Sequence, residues 1–454
     1  MKTPVCLPAL AFLIGLLPFS PLRAEEQKFT DYVDHRLIPN EIKSDNPEQD
    51  MPPACDFTVP IHGPWLSNPD TTSMTVMWIT RSECGAAIDL REKGQTDFKR
   101  TWEKTYGQIE FTKDIHTFHL EGLKPGTEYE YRLVSACDRY SKLNTEPVEG
   151  KKIYSFRTLD NAKTSYRIFV STDTHGGFRL GLNALYKAGD MEHADFVILL
   201  GDNVEDCLRD QPRYYITFGA IDDLVRKGAF SRPTAFVRGN HDSNGRLKTA
   251  YGTYFPRKDG RAYYCFSHGK VLYMVLDTHS LHSATRLEEL DRQEYLKEQA
   301  EWIRGLKKTD LWKKSEFRIA LAHGGTHGGA DDKRLQAAFN DVLTDNTPEG
   351  KIHLYLAGHV HRYCRIDPFS AVTKAGYPSR FETFKAEYPY TMVTGMEGEA
   401  MTLDVAPGKL TLRSHRWDNG AYSLRDDFSI SPDGKVTDNM TVPVYTERPP
   451  RKKK

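Results

Sequence analysis

The sequence predicts two successive domains, a small β-sandwich followed by a larger α/β domain. Two observations support this division. Between about residues 55 and 160, short alternating apolar stretches are separated by turn signals, which is typical of antiparallel sandwiches. After Thr158, near-continuous apolar runs alternate with segments of helical periodicity. That rhythm is typical of strands buried on both faces of a layered α/β domain.

The first 24 residues have the layout of a secretory signal peptide. Lys2 precedes an apolar run from Ala9 to Phe19, and Ala24 offers a small residue at a plausible cleavage point. The run is shorter than the roughly 20 apolar residues that span a bilayer. We therefore expect a secreted or periplasmic protein with no stable membrane insertion. Residues 25–54 are polar and contain proline, and we interpret them as a linker.

The segment 55–160 is predicted to form the β-sandwich. The alternating apolar stretches are Ser73–Ile79, Ala86–Leu90 and His119–Val134. Tyr129 follows the turn Lys124-Pro125-Gly126 and resembles the tyrosine corner of fibronectin type III domains. This resemblance implies that the Tyr129 hydroxyl ties its strand to the preceding turn.

The segment 161–432 is predicted to form the α/β domain, and 433–454 a C-terminal tail. Buried strands are predicted at 166–172, 195–201, 234–239, 271–277, 317–323 and 352–358. An apolar stripe at helical spacing predicts a helix over Leu287–Lys307, and further strands are expected between 390 and 415.

Composition argues against several classes of partner. Lys plus Arg equals Asp plus Glu at 62 each, so no global field attracts nucleic acid or an anionic membrane. The four basic residues 451–454 are too few to change this, and no nucleic-acid partner is expected. Six cysteines follow the predicted signal peptide and permit disulfides, although their pairing cannot be read from sequence. None is spaced as CxxC, so a thiolate zinc site is not expected.

Side chains with metal-binding chemistry follow five of the predicted strands. They are Asp173 and His175; Asp202 and Glu205; Asn240, His241 and Asp242; His323; and His359 and His361. Ligands of open α/β sheets bind outside the carboxyl ends of the strands, so these groups are expected at one edge. Each pair alone is more often a surface loop or a turn. All five sets together, each after a buried strand, indicate a metal centre.

The order of the motifs resembles the calcineurin-like metallophosphoesterases. The motifs are Asp-x-His, Gly-Asp-x-x-Glu, Gly-Asn-His-Asp, the histidine of ALAHGG (320–325) and Gly-His-x-His. With the preceding fibronectin type III-like domain, including GPWLSNPDTTSMTVMW (63–78), the chain is similar to purple acid phosphatases. The resemblance covers about residues 55–430. It implies a four-layer α/β/β/α catalytic domain that hydrolyses phosphate esters by in-line attack of metal-bound hydroxide.

The resemblance also implies a set of metal ligands. One metal ion would be held by Asp173, His175 and His361 and the other by Asn240, His323 and His359, with Asp202 bridging both. These nitrogen and oxygen donors suit Fe, Mn or Zn better than Ca, and they leave the choice among the three open. Two such ions about 3.5–4 Å apart can activate a water and clamp phosphoryl oxygens.

Two further residues are expected to be catalytic. In the family, the position of His241 contacts the phosphate or protonates the leaving group. Glu205 stands where many relatives have an acidic residue that pairs with this histidine, and such a carboxylate would raise the pKa of the imidazole. The alternative is that Glu205 is a solvated loop residue. Purple acid phosphatases have a tyrosine at this place that colours their ferric iron, so we expect a colourless enzyme without an obligatory ferric ion.

Two classes of function follow from these observations. The first is a phosphoesterase acting on a small-molecule phosphate ester, with phosphomonoesters favoured and phosphodiesters as the alternative, since the motifs do not separate the two. The second is a surface binding protein with a vestigial site, because β-sandwiches often serve recognition. A degenerate site should lack a ligand, and none is missing here. The oligomeric state is not predicted.

Overall fold

The computed structural model describes most of the chain after the predicted linker. The described residues are 60–81, 83–136, 148–175, 187–203, 232–243, 251–278, 286–326, 332–378, 388–396, 398–418, 421–443 and 445. The predicted signal peptide (1–24) and linker (25–54) lie outside them. No helix in the described part combines the length and apolar character needed to cross a bilayer.

The described chain is mostly β-strand with few helices. The strands are β1 (Pro60–Ser67), β2 (Ser73–Thr80), β3 (Gly85–Glu92), β4 (Lys99–Trp102), β5 (Lys104–Thr105), β6 (Gln108–Ile109), β7 (Ile115–Glu121), β8 (Glu128–Ala136), β9 (Val148–Glu149), β10 (Tyr154–Arg157), β11 (Tyr166–Ser171), β12 (Phe196–Leu199), β13 (Thr234–Phe236), β14 (Tyr264–His268), β15 (Val271–Val275), β16 (Phe317–Leu321), β17 (Leu354–Ala357), β18 (Cys364–Ile366), β19 (Ala375–Gly376), β20 (Thr391–Thr394), β21 (Glu399–Ala406), β22 (Lys409–Asp418), β23 (Ala421–Ile430) and β24 (Val436–Asp438). The helices are α1 (Tyr251–Tyr254), α2 (Arg286–Lys307), α3 (Asp310–Lys314) and α4 (Asp332–Leu343).

The N-terminal region is a β-sandwich, as predicted. One face contains β1, β2 and β7, and the other contains β10, β8, β3 and β4 with β9 beside β8. Aromatic side chains such as Trp78, Phe118 and Tyr131 fill the core between them. The hydrogen bond expected of a tyrosine corner is present, because the Lys124 N–H donates to the Tyr129 hydroxyl oxygen at 2.9 Å.

The α/β region consists of two sheets packed face to face. In the first, β11, β12 and β13 are parallel, and β21 to β24 extend the sheet beyond β11. In the second, β15, β16, β17 and β20 are parallel, flanked by β14 and β18. Apolar residues including Ile168, Ile198, Ile319 and Leu356 form the core between the two sheets. Each of the six predicted buried strands therefore contains an observed strand.

Helical segments cover the outer faces of both sheets. Leu296 and Ile303 of α2, together with Phe339 of α4, pack on the second sheet. Tyr251 and Tyr254 of α1 pack on the outer face of the first sheet. These four layers confirm the predicted α/β/β/α class, and α2 begins one residue before the predicted helix.

The C-terminal tail predicted for 433–454 begins too early. Strand β24 lies within that segment and pairs with β23. The Asp438 carboxylate accepts a hydrogen bond from the buried Arg365 at 2.5 Å. An edge strand whose side chains are mostly exposed has no apolar alternation, so the sequence pattern gave no sign of it.

Three of the cysteines fall within the described part of the chain. They are Cys84, Cys265 and Cys364, and none of the three forms a disulfide with another described residue. The described residues therefore contain no disulfide, and the pairing of the remaining cysteines is outside what they show.

Candidate metal centre

Five strand ends converge at one edge of the paired sheets. The parallel strands β11, β12 and β13 end there from the first sheet, and β16 and β17 end there from the second. Each predicted metal-binding motif starts within a few residues of one of these ends. The topology therefore delivers side chains that are up to 188 residues apart in the sequence to one place, as the rule for open α/β sheets requires.

The first group of potential ligands contains four residues. Ligand atoms of Asp173, His175, Asp202 and His361 all lie within 4.8 Å of one another. The His361 Nε2 atom is 3.3 Å from the Asp173 Oδ1 atom. The two Nε2 atoms of His175 and His361 are also 3.3 Å apart. These distances place the four ligand atoms close enough to share one metal ion.

The second group shares Asp202 with the first. Ligand atoms of Asp202, His323 and His359 lie within 4.8 Å of one another. The side-chain oxygen Oδ1 of Asn240 is 2.7 Å from Nδ1 of His359 and 3.1 Å from Nε2 of His323. All seven predicted ligands are thus brought together in two adjoining groups, with Asp202 in the shared position.

Hydrogen bonds orient His323 towards this centre. Its Nδ1 atom lies 2.7 Å from the Leu200 carbonyl oxygen, which can only accept, so Nδ1 carries the proton. In the neutral imidazole, Nε2 then presents a lone pair to Asn240 Oδ1 and to Asp202 Oδ2, which lies 3.1 Å away. Three electron-pair donors facing one another is an arrangement that a cation stabilises.

The burial of two carboxylates at this centre also favours a bound cation. Asp202 and Asp173 are fully buried, and the nearest cationic groups to the Asp202 Oδ2 atom are histidine nitrogens, His323 Nε2 at 3.1 Å and His175 Nε2 at 3.9 Å. Burial alone would raise the pKa of the Asp202 carboxyl and lower that of the His323 imidazole. Their mutual attraction outweighs burial, so the pKa of the carboxyl falls and that of the imidazole rises. The residues present therefore fit a metal ion in both donor chemistry and charge.

The ligand turns adopt a backbone conformation that non-glycine residues rarely use. Asp173, His175, Asp202, His359 and His361 have positive φ angles of 53°, 47°, 50°, 70° and 51°. Such conformations cost free energy and persist where the surrounding structure enforces them, commonly at functional sites. Here they let each strand turn sharply at its end and present its side chain to the centre.

Two glycines allow the turns to approach one another. A Cβ atom on Gly239 would lie 2.2 Å from the Asp202 Oδ1 atom. A Cβ atom on Gly358 would lie 2.5 Å from the Asp173 Oδ2 atom. Gly239 directly precedes Asn240, and Gly358 directly precedes His359. A glycine next to a candidate ligand is therefore the sequence feature that indicates close approach of the turns.

Other supporting groups were also missed. The Thr172 hydroxyl donates to the Asp173 Oδ2 atom at 2.9 Å, and the Leu200 carbonyl orients His323. Thr172 is detectable as a polar residue at a buried strand end. The Leu200 contact uses the backbone and leaves no trace in the sequence.

His241 lies beside the shared carboxylate. Its Nε2 atom is 3.9 Å from the Asp202 Oδ2 atom, and its backbone N–H donates to Asp202 Oδ1 at 2.9 Å. Its ring contacts the His175 ring edge-on, with 4.6 Å between centroids. Its side chain is 23% exposed, so it can reach a bound molecule. Glu205 lies outside the described residues, and its pairing with His241 stays a prediction.

Each of the two regions of the chain matches a known protein family. Residues 166–363 match the calcineurin-like phosphoesterase family, and this range contains all seven potential ligands. Residues 61–158 match the purple acid phosphatase N-terminal domain. A comparison with curated protein sequences finds no match.

Two solved structures are similar to most of the chain. A purple acid phosphatase from seeds of yellow lupin (Lupinus luteus) is 17% identical, with 82% of this chain and 75% of that one covered at a TM-score of 0.57. The structure of PhoD is 12% identical, with 85% of this chain and 94% of that one covered at a TM-score of 0.58. At these identities the likeness shows a shared fold.

The matches confirm the family resemblance, the enzyme class and the expectation of two metal ions, while the identity of the metals stays open. Both matched families are metal-dependent phosphoric ester hydrolases. Within this chain, residues 166–363 therefore match a calcineurin-like phosphoesterase domain, and a match to the purple acid phosphatase N-terminal domain precedes it at residues 61–158.

Proposed function

We propose that this protein is a dinuclear-metal phosphoesterase that prefers phosphomonoesters and works outside the cytoplasm, either secreted or in the periplasm. The observation that carries the proposal is the convergence of seven ligand residues in two groups that share Asp202. A binding protein with a vestigial site would not need to keep every ligand, nor to hold five of them in left-handed backbone conformations.

We assign the ligands to two positions. Asp173, His175 and His361 would hold one metal ion and Asn240, His323 and His359 the other, and Asp202, which lies in both groups, would contribute to both. The set contributes two negative charges, which two divalent or trivalent cations exceed. The resulting positive excess favours binding of an anionic phosphate ester at this edge of the sheets.

The metal ions, when bound, supply activation of a water molecule and neutralisation of phosphoryl charge. The chain supplies the geometry. Asp202 keeps the two positions adjacent, and the hydrogen bond from His323 to Leu200 O keeps the coordinating nitrogen pointed inwards. His241, beside Asp202 and partly exposed, can donate a proton to the leaving oxygen of the ester.

Separate observations support the preference for monoesters and the proposed export of the protein. The N-terminal match is to purple acid phosphatases, and the lupin structure is one of them, which favours monoesters as the first substrates to test. The support for export is the charged start, apolar run and small residue at the cleavage point within residues 1–24.

The test compares nitrophenyl phosphate with bis-nitrophenyl phosphate, using mature protein in metal-stripped and metal-loaded form. Faster metal-dependent cleavage of the monoester supports the proposal, and faster cleavage of the diester makes the protein a phosphodiesterase. Two bound ions per chain without cleavage of either ester would contradict catalysis on simple phosphate esters. Export is tested by sequencing the N-terminus of the protein recovered from an exporting host. A retained Met1 would contradict it.

A further inference from the structure

Asp242 ends the Gly-Asn-His-Asp motif, and neither metal group uses it. Its side chain is fully buried, although it belongs to a short 3-10 turn, His241–Ser243, at the surface end of β13. Burying a carboxylate is unfavourable unless other groups satisfy it with hydrogen bonds. The contacts of Asp242 therefore show what the buried charge holds in place.

The Asp242 carboxylate joins two ligand-bearing turns. Its Oδ2 atom accepts a hydrogen bond at 2.8 Å from the backbone N–H of Gly239, inside its own turn. The same oxygen accepts a hydrogen bond at 3.3 Å from the side-chain amide of Asn203, in the turn after β12. That amide also donates to the Val237 carbonyl at 3.1 Å, and Asn203 is itself buried.

These contacts flank the ligands on both sides. Asn203 directly follows Asp202, and Gly239 directly precedes Asn240, so the bridge between Asn203 and Asp242 spans the two chain segments whose side chains meet at the centre. A second hydrogen bond, from the His241 N–H to Asp202 Oδ1 at 2.9 Å, runs beside it. The Ser243 hydroxyl closes the turn by donating to the Gly239 carbonyl at 2.7 Å.

We propose that Asp242 is a positioning residue, which fixes the separation of Asn240 and Asp202 through Asn203 and Gly239 and thereby sets the affinity of the Asn240-side metal position. The inference rests on the proposed function only in taking these residues as metal ligands. Hydrogen-bonding partners outside the ligand set typically alter metal affinity by about 10–100-fold when they are removed. Asp242→Ala deletes the acceptor for two donors and is expected to fall in that range.

The experiment measures metal binding directly in the full mature protein. Wild type, Asp242→Ala, Asp242→Asn and Asn203→Ala are equilibrated with Mn²⁺ or Zn²⁺ against a competing chelator, and bound metal is counted by elemental mass spectrometry. We expect Asp242→Ala to bind one ion about 10–100-fold more weakly. Asp242→Asn keeps an oxygen for both donors and should recover most of the affinity. Asn203→Ala should give an intermediate loss.

A matched control separates positioning from general destabilisation. Asp89 is an equally buried carboxylate in the sandwich, held by Arg100 and Arg132. Asp89→Ala should lower the unfolding midpoint while leaving two ions bound with wild-type affinity. If Asp242→Ala does not fold, the comparison of Asn203→Ala and Asp242→Asn with the control decides the question.

Two outcomes would overturn the inference. One is wild-type affinity for both ions in folded Asp242→Ala or Asn203→Ala. The other is an affinity loss in Asp89→Ala as large as in the site variants. Failure of the proposed function looks different, because wild type would then bind two ions without hydrolysing either nitrophenyl ester.

Discussion

In the proposed ligand assignment both metal positions depend on the carboxylate of Asp202, and Asp202→Asn removes its charge at nearly constant volume. One of its oxygens, Oδ2, lies 3.1 Å from the His323 Nε2 atom and 3.9 Å from the His175 Nε2 atom. An amide in its place would present either a neutral oxygen or an N–H group to cations. Both positions should therefore weaken together, which distinguishes a bridging ligand from a ligand to one ion.

The expected loss can be worked from this geometry. Removal of an outer hydrogen-bonding partner weakens metal binding by about 10–100-fold, so loss of a direct charged ligand should weaken each position by at least about 100-fold. At a free metal concentration about ten times the wild-type Kd, roughly 80% of wild-type molecules hold both ions, against roughly 1% of the variant. Activity should then fall about 100-fold through occupancy alone, equivalent to about 2.8 kcal/mol.

The assay pairs bound-metal counts with hydrolysis of nitrophenyl phosphate across a range of metal concentrations. Asp404→Asn is the control, because its carboxylate pairs with Arg167 and Arg413 near the start of β11, at the opposite end from Asp173. It should keep two ions and full activity. Retention of both ions and of activity by Asp202→Asn would refute the bridging role, and loss of a single ion would reduce Asp202 to an ordinary ligand.

Three further predictions concern single groups. His241→Gln should lower kcat by about 10²–10⁴-fold while two ions stay bound. The decrease in kcat should be smaller for nitrophenyl phosphate than for phenyl phosphate, because a good leaving group needs little protonation. Equal losses for both esters would contradict a proton-donor role. Tyr129→Phe should cost about 1 kcal/mol of unfolding free energy in urea, through loss of the Lys124 hydrogen bond, with activity unchanged. In the metal-free protein, folding raises the pKa of His323 and so increases the free energy of unfolding. This contribution is complete below about pH 6.5, the pKa of an unperturbed histidine, and is lost as the pH rises through the pKa of His323 in the folded protein. The difference in stability between wild type and Asp202→Asn should shrink over that alkaline range, and a constant difference would contradict the attribution.

The sequence predicted the layered fold because its signals were local. Strands buried on both faces, such as 195–201, must be apolar throughout, and the run is visible without knowledge of any neighbour. The candidate ligands were visible in the sequence for the same reason, since each follows the end of its strand within a few residues. Convergence of the five ends then follows from parallel pairing, which the alternation of strands and helices indicated and the register of the strands confirms.

What the sequence did not predict depends on contacts between distant segments. Strand β24 pairs through its backbone, and its side chains are mostly exposed, so no apolar pattern marks it. The bond from His323 to the Leu200 carbonyl spans 123 residues and involves a main-chain atom that any residue would provide. Asp242 was visible as part of a motif, but its partner Asn203 was not, because neither residue type nor spacing indicates that the two meet.

The sequence also did not predict how the two domains are joined. The structure shows that the sandwich shares a sheet with the α/β domain. Strand β1 pairs in parallel with β13, at Ser67 and Thr234, so one ten-stranded sheet runs through both domains. Trp65 and Met77 of the sandwich share a buried cluster with Phe169 of β11. Without β1, β13 would be an exposed edge strand with unpaired backbone groups. Since β13 leads to Asn240 and His241, the sandwich supports the strand that carries Asn240, one of the four residues assigned to the second metal position. It is therefore part of the catalytic scaffold.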